Sequence, residues 1–126
     1  MGFVFIQMIT PNQQENFSKY KYVIYARKSS EESDRQLRSL DDQIKECRQL
    51  AMRSGLKVVD VIRESMSAKK PRKRAKFNAL LKRIEAKNID GIIAWAPDRL
   101  ARNMLEAGMV IDMIDEGKIK DLKFAT

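Results

Sequence analysis

Lys21-Tyr22-Val23-Ile24-Tyr25-Ala26-Arg27-Lys28-Ser29-Ser30 is the stretch on which the reading of this chain turns. Its first six residues are β-branched and aromatic, without the polar alternation of a half-wet strand, so a strand in the middle of a sheet is expected there. The apolar pattern stops after Ala26. That switch places Arg27, Ser29 and Ser30 at the carboxyl end of a first strand, where open α/β sheets hold their ligands. A hydroxyl beside a guanidinium points to anion chemistry, while a serine pair is also ordinary turn or helix-cap material.

Outward from this stretch, strand and helix patterns alternate. Glu31 to Arg38 is charged and aperiodic, hence a loop. Ser39 is a good N-cap with Asp41 and Asp42 in the first turn, Leu40, Ile44, Cys47 and Ala51 recur at helical spacing, and Gly55 supplies the stop. Gln43 lies one turn into this helix, near the end of the first strand, and by itself reads as surface polarity. Leu56 to Ile62 is a second strand, followed by a polar loop from Glu64 into the basic block Lys69 to Lys76. Phe77, Leu80, Leu81 and Ile84 mark a helix ending near Asn88, and Gly91-Ile92-Ile93-Ala94-Trp95 a buried strand that ends in Asp98-Arg99-Leu100-Ala101-Arg102. Asn103 to Glu116 is helical, with Met104, Ala107, Val110, Ile111 and Ile114 as its apolar residues, and Asp121 to Thr126 begins another strand. This order predicts a mainly parallel central sheet flanked by helices, with the polar loops after the strands sharing one edge. Towards the amino terminus, residues 1–19 begin apolar and turn polar, and read as an extension that either adds an edge strand or frays. Residues 20–126 form the domain proper.

Composition narrows the chemistry. The 126 residues suffice for one domain, and their net charge is +8. From Arg63 to Lys87 there are ten Lys or Arg against two acids, and the rest of the chain balances at fifteen of each. A basic block inside a neutral domain is the footprint of nucleic-acid backbone contact, or else a solubilising loop. There is no histidine, which removes the Ser-His-Asp triad and the commonest transition-metal ligand. Cys47 is the single cysteine, so no internal disulfide is possible. No apolar run approaches the roughly 20 residues of a membrane span, and Met1 to Met8 does not resemble a signal peptide. A soluble cytoplasmic protein is expected.

A serine among arginines suits phosphoryl transfer. Attack on a phosphodiester puts negative charge on the non-bridging oxygens, and forked guanidinium groups hold such oxygens in paired hydrogen bonds. Asp98 is the only acid inside the arginine cluster; it either shuttles a proton or orients Arg99 and Arg102. No Gly-x-x-x-x-Gly-Lys-Ser/Thr or Gly-x-Gly-x-x-Gly loop is present, so a nucleotide cofactor finds no support. Asp98 and Glu64 are the acids at strand ends available to hold magnesium, and so many converging arginines argue against any metal.

Tyr25-x-Arg27-x-Ser29, Ser39-Leu40-x-x-Gln43, Glu64-x-x-Ser67-Ala68, Arg74-x-x-Phe77 and Asp98-Arg99-Leu100-Ala101-Arg102 occur in an order and spacing that resemble the serine recombinase family of resolvases, invertases and large serine integrases. The double serine and the long basic loop look more like the large integrase or transposon-recombinase branch. The resemblance implies a resolvase-like catalytic domain in which Ser29 breaks a DNA strand, forms a 5′-phosphoserine link and frees a 3′-hydroxyl, with neither ATP nor metal as cofactor. It implies phosphate and transition-state roles for Arg27, Arg74, Arg99 and Arg102, supporting roles for Asp98, Tyr25, Gln43 and Ser67, and DNA contact by Lys69, Lys70, Arg72 and Lys73. Ser30 is the rival nucleophile, and Arg72 and Lys73 crowd the assignment of Arg74. Double-stranded DNA and further copies of the chain, as dimer and synaptic tetramer, are the implied partners. Family catalytic domains continue beyond this sequence, so it is read as an amino-terminal piece that recombines nothing alone. Two other readings remain: a catalytically inactive phosphate-binding relic of the same fold, and a signalling domain of similar topology, which the lack of an acidic pocket disfavours.

Overall fold

The computed structural model describes residues 19–29, 39–66 and 74–126. Expectations for the extension, for Ser30 and the loop after it, and for Ser67, Lys69, Lys70, Arg72 and Lys73 lie outside the described residues, as does the Ser29 side chain. The elements run β1 (Lys21–Ser29), α1 (Leu40–Ser54), β2 (Lys57–Met66), α2 (Ala75–Glu85), β3 (Gly91–Ala94), α3 (Pro97–Leu100), α4 (Met104–Asp115) and β4 (Asp121–Phe124). The four strands form one all-parallel sheet in the order β2-β1-β3-β4.

That order follows from chirality. A right-handed crossover carries the chain from β1 outward to β2 on one face, then back past β1 to β3 and β4 on the other. The core divides accordingly: Ile44, Cys47 and Ala51 of α1 pack on Tyr22, Ile24 and Ala26 of β1, whereas α2 and α4 cover Val23 and Tyr25 on the opposite face. Tyr22 through Ala26 are therefore fully buried, as their unbroken apolar pattern predicts.

The helix signals acted as expected. Ser39 Oγ accepts a hydrogen bond from the Asp42 amide at 3.2 Å, and Gly55 closes α1 in the left-handed region at φ 68°. Both outer ends of the first two strands differ from expectation. β1 continues through Ser29 and β2 through Met66, because Arg27, Lys28 and Ser29 pair with Glu64, Ser65 and Met66. Parallel pairing holds these polar residues extended where side-chain pattern alone suggests loops. Trp95, by contrast, falls just outside β3.

The apolar face expected of α4 is corrected as well. Of Met104, Ala107, Val110, Ile111 and Ile114 only Val110 is buried, together with Met113, and Met104, Leu105 and Ile111 are well exposed. Only Asp112 and Asp115 mark its exposed side, and exposed Met104, Leu105 and Ile111 lie beside them, so the apolar pattern pointed only weakly to Val110 and Met113. Among the described residues no helix is long and apolar enough to cross a membrane.

Gly91 sits in a row with its register partners Tyr22 and Asp121. The Tyr22 ring passes over it to donate a hydrogen bond to the Asp121 carboxylate, and a Cβ at position 91 would lie 2.5 Å from that ring. Gly91→Ala is expected to cost about 1–3 kcal/mol, measurable as a lower urea midpoint. Burial also pushes the Cys47 thiol up to about 12, with the Glu46 charge adding to the effect. The folded state thus keeps this proton when the unfolded chain has lost it. Stability is expected to fall as pH rises from about 9 towards 12, and native Cys47 to resist alkylation at pH 8 until urea unfolds the chain.

Candidate active site

The last β1–β3 pair is Tyr25 with Ala94, so Arg27 extends past the end of β3. Gln43 completes that place in the sheet. Its side-chain Nε2 donates to the Arg27 carbonyl at 3.0 Å and its Oε1 accepts from the Arg27 amide at 3.3 Å, much as a neighbouring strand residue would. Gln43 is fully buried, which corrects its reading as surface polarity. A side-chain amide offers a donor and an acceptor together, so it can satisfy both backbone groups of one residue. The Arg27 guanidinium in turn donates to the backbone carbonyl of Asp98 on α3.

β1 and β3 are neighbours whose following helices pack on opposite faces, the arrangement at whose carboxyl ends open α/β sheets hold their ligands. Arg27, Arg74 and Arg99 meet at α3 (Pro97–Leu100), Arg27 and Arg74 through its backbone carbonyls and Arg99 as one of its residues, each no more than 5% exposed. Buried cations require partners, and Arg74 has several. Its guanidinium donates to Glu106 Oε1, to the Tyr25 hydroxyl at 2.9 Å and to the Leu100 carbonyl at 2.7 Å; Nε lies 4.0 Å from Glu64 Oε1; and the group stacks 4.0 Å over the Phe77 ring. Glu64 does more than balance charge. Arg74 occupies the N-cap of α2 without capping it, and Glu64 substitutes from β2: its carboxylate accepts from the amides of Lys76 at 2.8 Å and Phe77 at 3.1 Å. Tyr25 closes the circuit by donating to Glu64, and burial followed by that bond raises its pKa.

Asp98 and Arg99 lie on α3, one short turn started by Pro97. The Asp98 carboxylate is 71% exposed and 3.8 Å from Arg99 Nη2, so its charge faces solvent at the rim while its backbone carbonyl holds Arg27. Arg102 is half-buried, and its backbone amide donates to Glu106 Oε1 at 2.7 Å. Among the described residues no group of three or more Cys, Asp and Glu side chains is gathered to hold a metal ion.

Residues 22–125 match the family profile described as Resolvase, N terminal domain. The chain belongs to the resolvase family. Among solved structures this resolvase domain is similar to the C-terminal catalytic domain of ISC1926 TnpA, an IS607-like serine recombinase, at 25% identity and a TM-score of 0.65 over 84% of this chain and 70% of that one. It is also similar to the N-terminal catalytic domain of TP901-1 integrase, at 27% identity and a TM-score of 0.62 over 79% of this chain and 72% of that one. No curated protein sequence matches it.

The fold thus brings Tyr25, Arg27, Gln43, Arg74, Asp98, Arg99 and Arg102 of the resolvase domain to one end of the sheet. Sequence reasoning named Glu64 without a task and passed over Glu106 entirely. The available signal for Glu106 was its position three residues after Asn103, the spacing of a capping box. Removing the cation that both acids share has a defined cost. Arg74→Ala is expected to destabilise the domain by about 3–5 kcal/mol at pH 7, since two buried carboxylates lose their counter-charge. Urea titrations of wild type and variant at pH 7 measure it.

Proposed function

We propose that this chain is the catalytic domain of a site-specific serine recombinase acting on double-stranded DNA. The observation that carries the reading is the meeting of three buried arginines at α3, beyond the carboxyl end of β3, with Ser29 ending the same strand that bears Arg27. In this mechanism Ser29 Oγ attacks the scissile phosphorus. The Oγ–P bond forms, the bond from phosphorus to the 3′-oxygen breaks, and the strand end is retained as a 5′-phosphoserine ester. Rejoining is the reverse reaction by a 3′-hydroxyl, and because the ester conserves the bond, no external energy source is needed. Arginine forks offset the charge that grows on the non-bridging oxygens. The Ser29 hydroxyl proton passes to the Asp98 carboxylate at the rim, which hands it on to the departing 3′-oxygen, and rejoining reverses both transfers. Residues 20–126 would form the catalytic domain, residues 1–19 an extension, and Lys69, Lys70, Arg72 and Lys73 a DNA-backbone contact.

The exposed Met104, Leu105 and Ile111 on α4 support assembly with further copies, as a dimer and as a tetramer when two DNA sites are held together. Action on cellular DNA implies a cytoplasmic location.

The test uses the full-length protein with duplex DNA of its host element, quenched in denaturant and digested for peptide mass. An adduct on Ser29, abolished by Ser29→Ala and slowed roughly 100-fold or more by Arg27→Ala or Arg99→Ala, is expected. Salt-sensitive binding with no adduct would instead establish a passive phosphate-binding module, and an adduct on Ser30 would move the nucleophile by one residue.

A further inference from the structure

α4 begins as many helices do. Asn103 is its N-cap, and Asn103 Oδ1 accepts from the Glu106 amide at 2.9 Å. In a capping box the glutamate at the third helical position returns to the amide of the cap residue itself. Here it does not. Glu106 Oε1 takes the amide of the preceding residue, Arg102, at 2.7 Å, and the same oxygen accepts from Arg74 Nη1. A carboxylate needed only to cap α4 would be served by water. This one is 15% exposed and meets a guanidinium that is 1% exposed.

Arg74 already faces Glu64, whose two oxygens are occupied by Tyr25 and the first turn of α2. The second carboxylate is therefore surplus to capping and to simple neutralisation. What it adds is a shared origin for two arginines carried on different segments, one at the start of α2 and one just after α3. We propose that Glu106 is a positioning residue of the recombination site, one carboxylate oxygen setting the Arg74 guanidinium and the Arg102 backbone in a common frame. This rests on the recombinase reading. Without Glu106 the segment Ala101–Arg102 loses its anchor and Arg74 gains freedom to rotate, and misplacement by about 1 Å costs on the order of 100-fold in rate.

The experiment compares full-length wild type, Glu106→Ala, Glu106→Gln and Asn103→Ala on duplex DNA of the host element. It reads three quantities: the rate of covalent adduct formation at saturating duplex, the duplex affinity, and hydrogen exchange of the Arg102 amide. Glu106→Ala is expected to slow adduct formation roughly 30- to 100-fold while affinity stays within about threefold. Glu106→Gln keeps an acceptor oxygen and should recover at least about a tenth of the wild-type rate. Asn103→Ala weakens the same helix end without touching either arginine and should stay within about threefold of wild type. Arg102 amide protection should fall with Glu106→Ala and survive Glu106→Gln. The proposal is overturned if Glu106→Ala reacts within threefold of wild type, if Asn103→Ala is as slow as Glu106→Ala, or if the glutamine variant rescues nothing. Should Glu106→Ala not fold, Glu106→Asp replaces it, with at least a tenfold slowing expected. Absence of adduct from wild type would remove the recombinase reading; an Arg102 amide whose exchange ignores Glu106→Ala would remove the positioning contact by itself.

Discussion

A guanidinium with 1% of its surface in water must be neutralised where it lies, and much of this domain is arranged around doing so for Arg74. Its partners come from β1 (Tyr25), β2 (Glu64), α3 (Leu100) and α4 (Glu106), and it begins α2 itself. One side chain therefore sets the mutual position of five elements at the carboxyl end of the sheet. Burying such a group is costly. What the arrangement contributes is definition: each contact has a fixed direction, so the elements meet in one geometry rather than several.

The sheet supplies the place for this network. Because the chain reverses direction between β2 and β3, the helices after β1 and β3 leave on opposite faces, and the peptide ends of two adjacent strands are left unfilled. Gln43 answers that shortage for Arg27 by standing in for a strand that β3 is too short to provide. Backbone hydrogen-bond completion and side-chain placement are thereby the same event, since the amide that satisfies the peptide also fixes the guanidinium attached to it. Membership of the resolvase family accords with the all-parallel sheet that carries this network.

Much of this was legible beforehand, for particular reasons. Tyr22 to Ala26 announced a strand covered on both faces because no polar residue interrupts it, and Ser39 and Gly55 marked the ends of α1 because each satisfies local backbone groups. The arginines that meet at this end of the sheet were named from the spacing of their motifs. The burial of Gln43 was not, since a polar residue one turn into a helix has no local reason to be covered. Nor was the face of α4, where exposed apolar residues beside Asp112 and Asp115 left little to read.

The amino-acid sequence alone determined the strand and helix order, the parallel sheet it implies and the candidate arginines, because periodicity, capping and spacing are properties of neighbours along the chain. Only the tertiary structure decided that β1 and β2 extend to Ser29 and Met66, that Glu64 caps a helix it does not belong to, and that Glu106 joins Arg74 to Arg102. Each of those depends on which distant residue arrives with the complementary charge or hydrogen-bonding group. That is settled by the crossing of strands in space, which no local pattern encodes.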